Sequence, residues 1–125
     1  MTALVDPSVL IDYLRGHDGA AEVLQRERAE APLHASEMTR VEVLAGMRPG
    51  EESATRELLL TLTWHALDAD VAERAGELGR MWRPSHRSID GADLAIAATA
   101  IRIDARLLTC NVKHFPMFRG LRAPY

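Results

Sequence analysis

Residues 88–103 read SIDGADLAIAATAIRI. At roughly 100° per residue, Ile89, Ile96, Ala97 and Ala100 share an azimuth with Asp93. The stretch is a buried helix that carries a carboxylate in the middle of its apolar stripe. An unpaired buried carboxylate costs several kcal/mol or is driven to its neutral form. Two readings compete for Asp93. Asp90 makes a good N-cap, which puts Asp93 at the third helical position, where the helix dipole favours an acid. Alternatively, a cation faces Asp93 from elsewhere in the fold. This helix alone leaves both open.

Working outward, the chain begins with the all-apolar run Ala3-Leu4-Val5, followed by Asp6-Pro7-Ser8. The run suits a strand buried on both faces, as in parallel sheets. Pro7 suits the first turn of a helix over Ser8–Arg15, because its missing N–H would be unpaired there anyway. Asp6 then stands at the carboxyl end of a strand, the edge where open α/β sheets bind ligands. A helix over Ala20–Glu30 follows the turn Gly16–Gly19, and Pro32 ends it. Leu33-His34-Ala35 is a second short strand. Ser36 caps a helix running from Glu37 to Met47.

That helix poses a second anomaly. Measured from Met38, Ala45 lies at about −20°, Glu42 at about +40° and Val41 at about −60°. Glu42 therefore falls on the apolar face in mid-helix, where no cap can account for it. The structural alternative is a Glu paired with a buried arginine, Arg40 or Arg15. Glu37, in the first turn, is a dipole residue and needs no function. Beyond Arg48-Pro49-Gly50, the pattern predicts a helix over Glu51–Leu62 and a strand at Trp64–Leu67. A helix capped by Asp68 or Asp70 then runs to Trp82, with Val71, Ala75, Leu78 and Trp82 as its stripe. After the buried helix come a strand within Ala105–Thr109, the pair Cys110-Asn111, an irregular segment Val112–Arg119, and a possible edge strand at Leu121–Ala123. Strands alternating with helices predict an α/β fold with a mostly parallel sheet. No repeat or linker divides residues 1–125, so a single domain is expected.

Composition narrows the function classes. The net charge is −3, so no broad basic surface advertises nucleic acid, although local basic rims are compatible with that total. Cys110 is the only cysteine, which rules out an internal disulfide and cysteine-rich metal sites and fits a reducing compartment. The start, MTALVDPSVLIDYL, lacks a basic n-region and no signal peptide is expected. No run is long enough for a transmembrane helix. A cytoplasmic protein is expected.

Asp6, Glu42 and Asp93 are thus three acids in unusual places, and Asn111 follows a strand end. All could converge at one edge of a parallel sheet. Three close carboxylates repel unless protonated or bound to a cation. Oxygen ligands select Mg2+ or Mn2+, which keep waters and activate one of them for attack on a phosphodiester.

The run LVDPSVLIDYL, Glu42 in TRVEVLAGM, ADLAIAATA and LLTCNVKHFPMF together resemble the PIN-domain ribonucleases. The similarity is greatest to the VapC toxins of bacterial toxin–antitoxin pairs, and it spans the whole chain. The resemblance implies a three-layer α/β/α sandwich and an Mg2+- or Mn2+-dependent endoribonuclease that cuts structured RNA such as tRNA. It also implies a homodimer inhibited by an antitoxin whose C-terminal segment reaches the acidic site. Asp6, Glu42 and Asp93 match the family's acids, and Ser8 matches a small hydroxyl residue near the metal. Asn111 stands where many members carry a fourth acid, so a tightly held second metal is not implied. On this reading Asp6 and Asp93 ligate metal, Glu42 ligates it or orients its water, and Asn111 and Ser8 hold metal waters or the scissile phosphate. Arg40, Arg48, Lys113 and His114 are candidate phosphate contacts, the alternative for each being a solvated surface residue. Asp90 reads as a cap. His34, His65 and His86 have no ligand spacing and read as structural or exposed.

Two other classes share parts of this pattern. A phosphoryl-transfer domain of receiver or phosphatase type would need paired acids near Asp6, and Ser8 stands where the second would be. A non-catalytic interaction module would have no use for a destabilising set of buried acids.

Overall fold

The computed structural model describes residues 1–125. Ala3–Val5 form β1, every residue of it buried. Pro7 opens α1 (Pro7–Leu14), with Asp6 as N-cap. Then follow α2 (Asp18–Glu30), β2 (Leu33–Ser36), α3 (Glu37–Ala45), α4 (Glu52–Leu60), β3 (Thr63–His65), α5 (Ala69–Trp82), α6 (Gly91–Arg102) and β4 (Arg106–Leu108). A 3-10 turn over Val112–His114 closes the sequence of elements.

The four strands lie in the order β3-β2-β1-β4, and every pairing is parallel. Alternation along β1 divides the core into two layers. Ala3 and Val5 join Val9, Leu10, Val23, Leu24, Val43, Leu58 and Leu59 of α1 to α4 on one face. Leu4 joins Val71 and Leu78 of α5, Ile96, Ala97 and Ala100 of α6, and Phe115 on the other. The α/β/α sandwich expected from the sequence is therefore present. α6 is buried along nearly its whole length, because its small residues admit close neighbours. Gly79 of α5 is the clearest case: a Cβ there would stand 3.0 Å from Leu94 Cδ1.

Two expectations need correction. β3 begins at Thr63 and ends at His65, so the strand expected at Trp64–Leu67 is shorter and starts earlier. Leu121–Ala123 form no strand. Gly120 turns the chain with φ +72°, Pro124 offers no N–H, and the residues between are too few to pair. The edge of β4 is left open.

The hydroxyls of Thr39 on α3 and Thr55 on α4 are buried with no hydrogen-bond partner. Each forfeits a hydrogen bond that water would supply to the unfolded chain. Thr39→Val or Thr55→Val is expected to raise stability by about 1 kcal/mol, read by urea denaturation; a loss of stability would show that the hydroxyl is satisfied in solution.

Candidate active site

The carboxyl edge of the sheet gathers the ends of β1 and β4 and the start of α6. Asp6 directly follows β1, and its N–H continues the ladder by donating to Leu108 O at 2.9 Å. Its carboxylate caps α1. Oδ2 accepts from Ser8 N at 3.0 Å and from Ser8 Oγ at 2.6 Å. Ser8 Oγ in turn accepts from Cys110 N at 3.1 Å and lies 3.5 Å from Thr109 Oγ1. Thr109 Oγ1 accepts from Asn111 N at 2.9 Å. Asp6 is almost wholly buried. Burial pushes its carboxyl above the ordinary range, against the hydrogen bonds from Ser8 and the charge of His114 that pull it down.

Asp93 takes the capping position and also faces an ionisable side chain. Asp90 caps α6, and the two acids form a reciprocal capping box: Asp93 N donates to Asp90 Oδ1 at 2.9 Å, and Asp90 N donates to Asp93 Oδ2 at 3.1 Å. A histidine also faces Asp93: His114 Nδ1 stands 3.1 Å from Asp93 Oδ2. Asp93 Oδ1 has no hydrogen-bond partner. Burial, aided by the neighbouring Asp90 charge, pushes the Asp93 carboxyl up to about 6. His114 lowers both Asp6 and Asp93 electrostatically, so both carboxylates lie within the reach of one histidine.

Glu42 does not share it in the way the helical wheel suggested. Its side chain is exposed, and the buried residues of α3 are Thr39 and Val43. Glu42 lies one position off that stripe, which is why a short wheel misplaced it. Neither proposed arginine partner is engaged with it. Arg40 is paired with Glu37 and stacked 4.0 Å over the Trp64 ring, while Arg15 donates to Gly46 O at 3.3 Å. No three His, Cys, Asp or Glu side chains are grouped to hold an ion by themselves.

The other candidates separate similarly. Arg40 already has Glu37 as a partner, and His114 stands against Asp93. Arg48 and Lys113 are exposed. Asn111 is exposed beside Thr109. Sequence reading missed Thr109, whose only signal was its place at the end of a strand. It also missed that His34 Nδ1 and His65 Nε2 meet at 2.8 Å across β2 and β3; burial, with the charges of His34 and Arg102, holds His65 below the ordinary histidine range.

The donor set fits a divalent cation of the Mg2+ type. Such an ion is held by one or two carboxylates and keeps its remaining positions for water and substrate phosphate. Asp6 and Asp93 supply two buried carboxylates, and burial raises the proton affinity of both. Asp93 Oδ1 is unengaged; the nearby nitrogen, His114 Nδ1, is taken up by Asp93 Oδ2, and the Cys110 thiol is turned to Asp12.

The elevated Asp93 carboxyl carries a pH prediction. The folded protein binds this proton more tightly than the unfolded chain, so stability from Asp93 is present near the ordinary value of 3.8 and lost as pH rises through about 6. In EDTA, the melting temperature of Asp93→Asn minus that of wild type is expected to grow between about pH 4 and about pH 7 and then level off. A constant difference would mean that Asp93 titrates normally.

Fold and site together define a parallel α/β sandwich with paired acids at the carboxyl edge of its sheet. The PIN domain family model matches residues 3–117, and this chain belongs to the PIN-domain family. It is 44% identical to Ribonuclease VapC19 of Mycobacterium tuberculosis over 98% of each chain. It is 40% identical to Ribonuclease VapC10 of the same organism, covering 98% of this chain and 92% of the relative. Among solved structures, a toxin–antitoxin complex from Klebsiella pneumoniae superposes with a TM-score of 0.83 at 31% identity, over 99% of this chain and 98% of that one. VapBC2 from Rickettsia felis, bound to a promoter DNA fragment, shares the fold with a TM-score of 0.80 at 22% identity, over 98% and 97% of the two chains.

Proposed function

We propose that this chain is an Mg2+- or Mn2+-dependent endoribonuclease toxin that hydrolyses phosphodiester bonds in tRNA or another structured RNA. The observation that carries this reading is the buried Asp6–Asp93 pair at the sheet's carboxyl edge. The names of its relatives, ribonucleases of the VapC type, support the same class of reaction.

In this proposal Asp6 and Asp93 hold the ion. Bound there, a divalent cation would lower the pKa of a coordinated water and offset charge developing on the phosphate. Ser8, through its bonds to Asp6 Oδ2 and Cys110 N, fixes the Asp6 carboxylate and the start of the 110–111 segment. The Asp90 backbone and His114 fix Asp93. Asn111 offers its amide to the scissile phosphate. Glu42, from solvent, orients water rather than ligating directly. Arg48 and Lys113 remain free to meet RNA phosphates.

The proposed regulator is an antitoxin, as in the toxin–antitoxin complexes that this fold resembles. A cleft of about 510 Å³ between α1, α2 and α4, lined by Leu10, Tyr13, Leu24, Leu58 and Leu62, would take the apolar face of its segment. A homodimer is proposed as well, with exposed Val41 and Leu60 available to contact a second copy. No helix is long and apolar enough to cross a membrane, and a cytoplasmic location is proposed.

Incubating purified protein with total cellular RNA, with Mg2+ or Mn2+ and with EDTA, tests the activity. Discrete metal-dependent fragments are expected. Intact RNA, in samples containing tRNA and ribosomal RNA, would favour the interaction-module alternative.

A further inference from the structure

The sequence changes charge character near its end. Asp104 is the last acid, and Arg106, Lys113, His114, Arg119 and Arg122 follow it. In a chain of net charge −3, this is a local excess of positive charge on one segment. The fold concentrates it. Beside the open edge of β4, residues 118–124 wall a cleft of about 490 Å³. Arg26, Arg106, Arg119 and Arg122 line it, and Glu27 is its only acid. Glu27 is already paired with Arg106. Arg26, Arg119 and Arg122 are exposed and make no ion pair; Glu30 borders only the adjoining hollow beside Arg26.

The wall is held at both ends. Phe118 packs against the core and also lines the cleft. Tyr125 donates its hydroxyl to Asp12 Oδ2 at 2.7 Å, and its ring lies 4.7 Å from that of His17. The cleft is therefore a fixed feature of the fold.

Its position relative to the acids is the decisive point. β4 spans three residues, roughly 10 Å. Leu108 at its carboxyl end lines the cleft, and the next residue, Thr109, contacts Ser8 in the acidic site. The segment joining the two, residues 109–118, carries Lys113 and His114 and no acid.

We infer that this arginine cleft is a binding site for the backbone of single-stranded RNA leaving the acidic centre, with Arg26, Arg119 and Arg122 on phosphates and Phe118 presenting an aromatic surface to a base. Arginines suit this because a guanidinium donates in a fork that matches phosphate oxygens. A positive groove with an aromatic wall is the general form of a single-strand binding site. The inference rests on the ribonuclease reading and adds to it a second region of substrate contact.

The test uses a labelled RNA 12-mer in EDTA, which withholds the metal that cleavage needs, and fluorescence anisotropy across a KCl series. Wild type is compared with Arg119→Gln/Arg122→Gln, Arg119→Lys/Arg122→Lys and, on other faces, Arg56→Gln/Arg80→Gln. Circular dichroism melts verify that each variant is folded. Loss of two phosphate contacts should make the slope of log K against log salt shallower by about 1.4 and weaken binding roughly tenfold at low salt. The lysine pair should keep most of the slope, and the distant pair should match wild type. A glutamine pair with the wild-type slope, in a protein that binds and cleaves RNA, overturns this inference alone. A wild type that neither binds the 12-mer nor cuts RNA overturns the ribonuclease reading with it.

Discussion

Asp93→Asn is expected to reduce metal-dependent RNA cleavage by at least about a hundredfold, the scale on which a pre-organised charge contact acts in a transition state. The substitution preserves shape, and an asparagine Oδ1 can still accept from Asp90 N, so α6 keeps its cap. What is lost is the negative charge that would hold the cation. The metal-free variant should melt higher than wild type at neutral pH, because burial disfavours the ionised carboxylate that asparagine removes. Cleavage kinetics and melts in EDTA on the same preparation read both effects. A variant that is inactive because it is unfolded would melt lower, so the two explanations separate. Cleavage at the wild-type rate would remove Asp93 from the active site.

The largest effect on stability is expected at Phe115. Its side chain is 1% exposed and packs with Leu4, Ile96 and Leu107 in the layer between the sheet and α6. Phe115→Ala should cost about 3–5 kcal/mol through lost transfer energy and the cavity left behind. That is a large share of the roughly 5–15 kcal/mol that holds an ordinary domain together. Phe115→Leu keeps most of the volume and should cost less than about 1.5 kcal/mol. The consequence reaches the site, because Phe115 anchors the 3-10 turn that presents His114 to Asp93. Urea denaturation checks the cost; a loss below about 1 kcal/mol for alanine would show that the layer closes around the gap.

The path from sequence to site was uneven for physical reasons. β1 and Asp6 were legible because a three-residue apolar run followed by Asp-Pro leaves few conformations, and the structure puts the acid at the strand's end. At Asp93 the capping pattern and the buried stripe looked like rivals, yet one side chain does both things. The histidine that faces it, His114, was not legible as such, because periodicity within a helix says nothing about what packs across from it. Glu42 was misplaced for a related reason. α3 has one narrow buried stripe through Thr39 and Val43, and on so short a helix a shift of one residue changes a buried side chain into an exposed one. The His34–His65 pair depends on the register of β2 against β3, which no local pattern encodes. The arginine cleft was half legible: the acid-free stretch after Asp104 can be read directly, but its folding beside an unpaired strand edge cannot. The predicted last strand failed where Gly120 and Pro124 left too little chain to pair.

Calorimetric titration with Mn2+ of wild type, Asp6→Asn, Asp93→Asn and Glu42→Gln is the most direct test of the central claim, that Asp6 and Asp93 hold a divalent cation between them. One binding site is expected in wild type, a loss of at least about tenfold in affinity in each aspartate variant, and near wild-type affinity in Glu42→Gln. Equal Mn2+ binding by all four proteins would contradict the account.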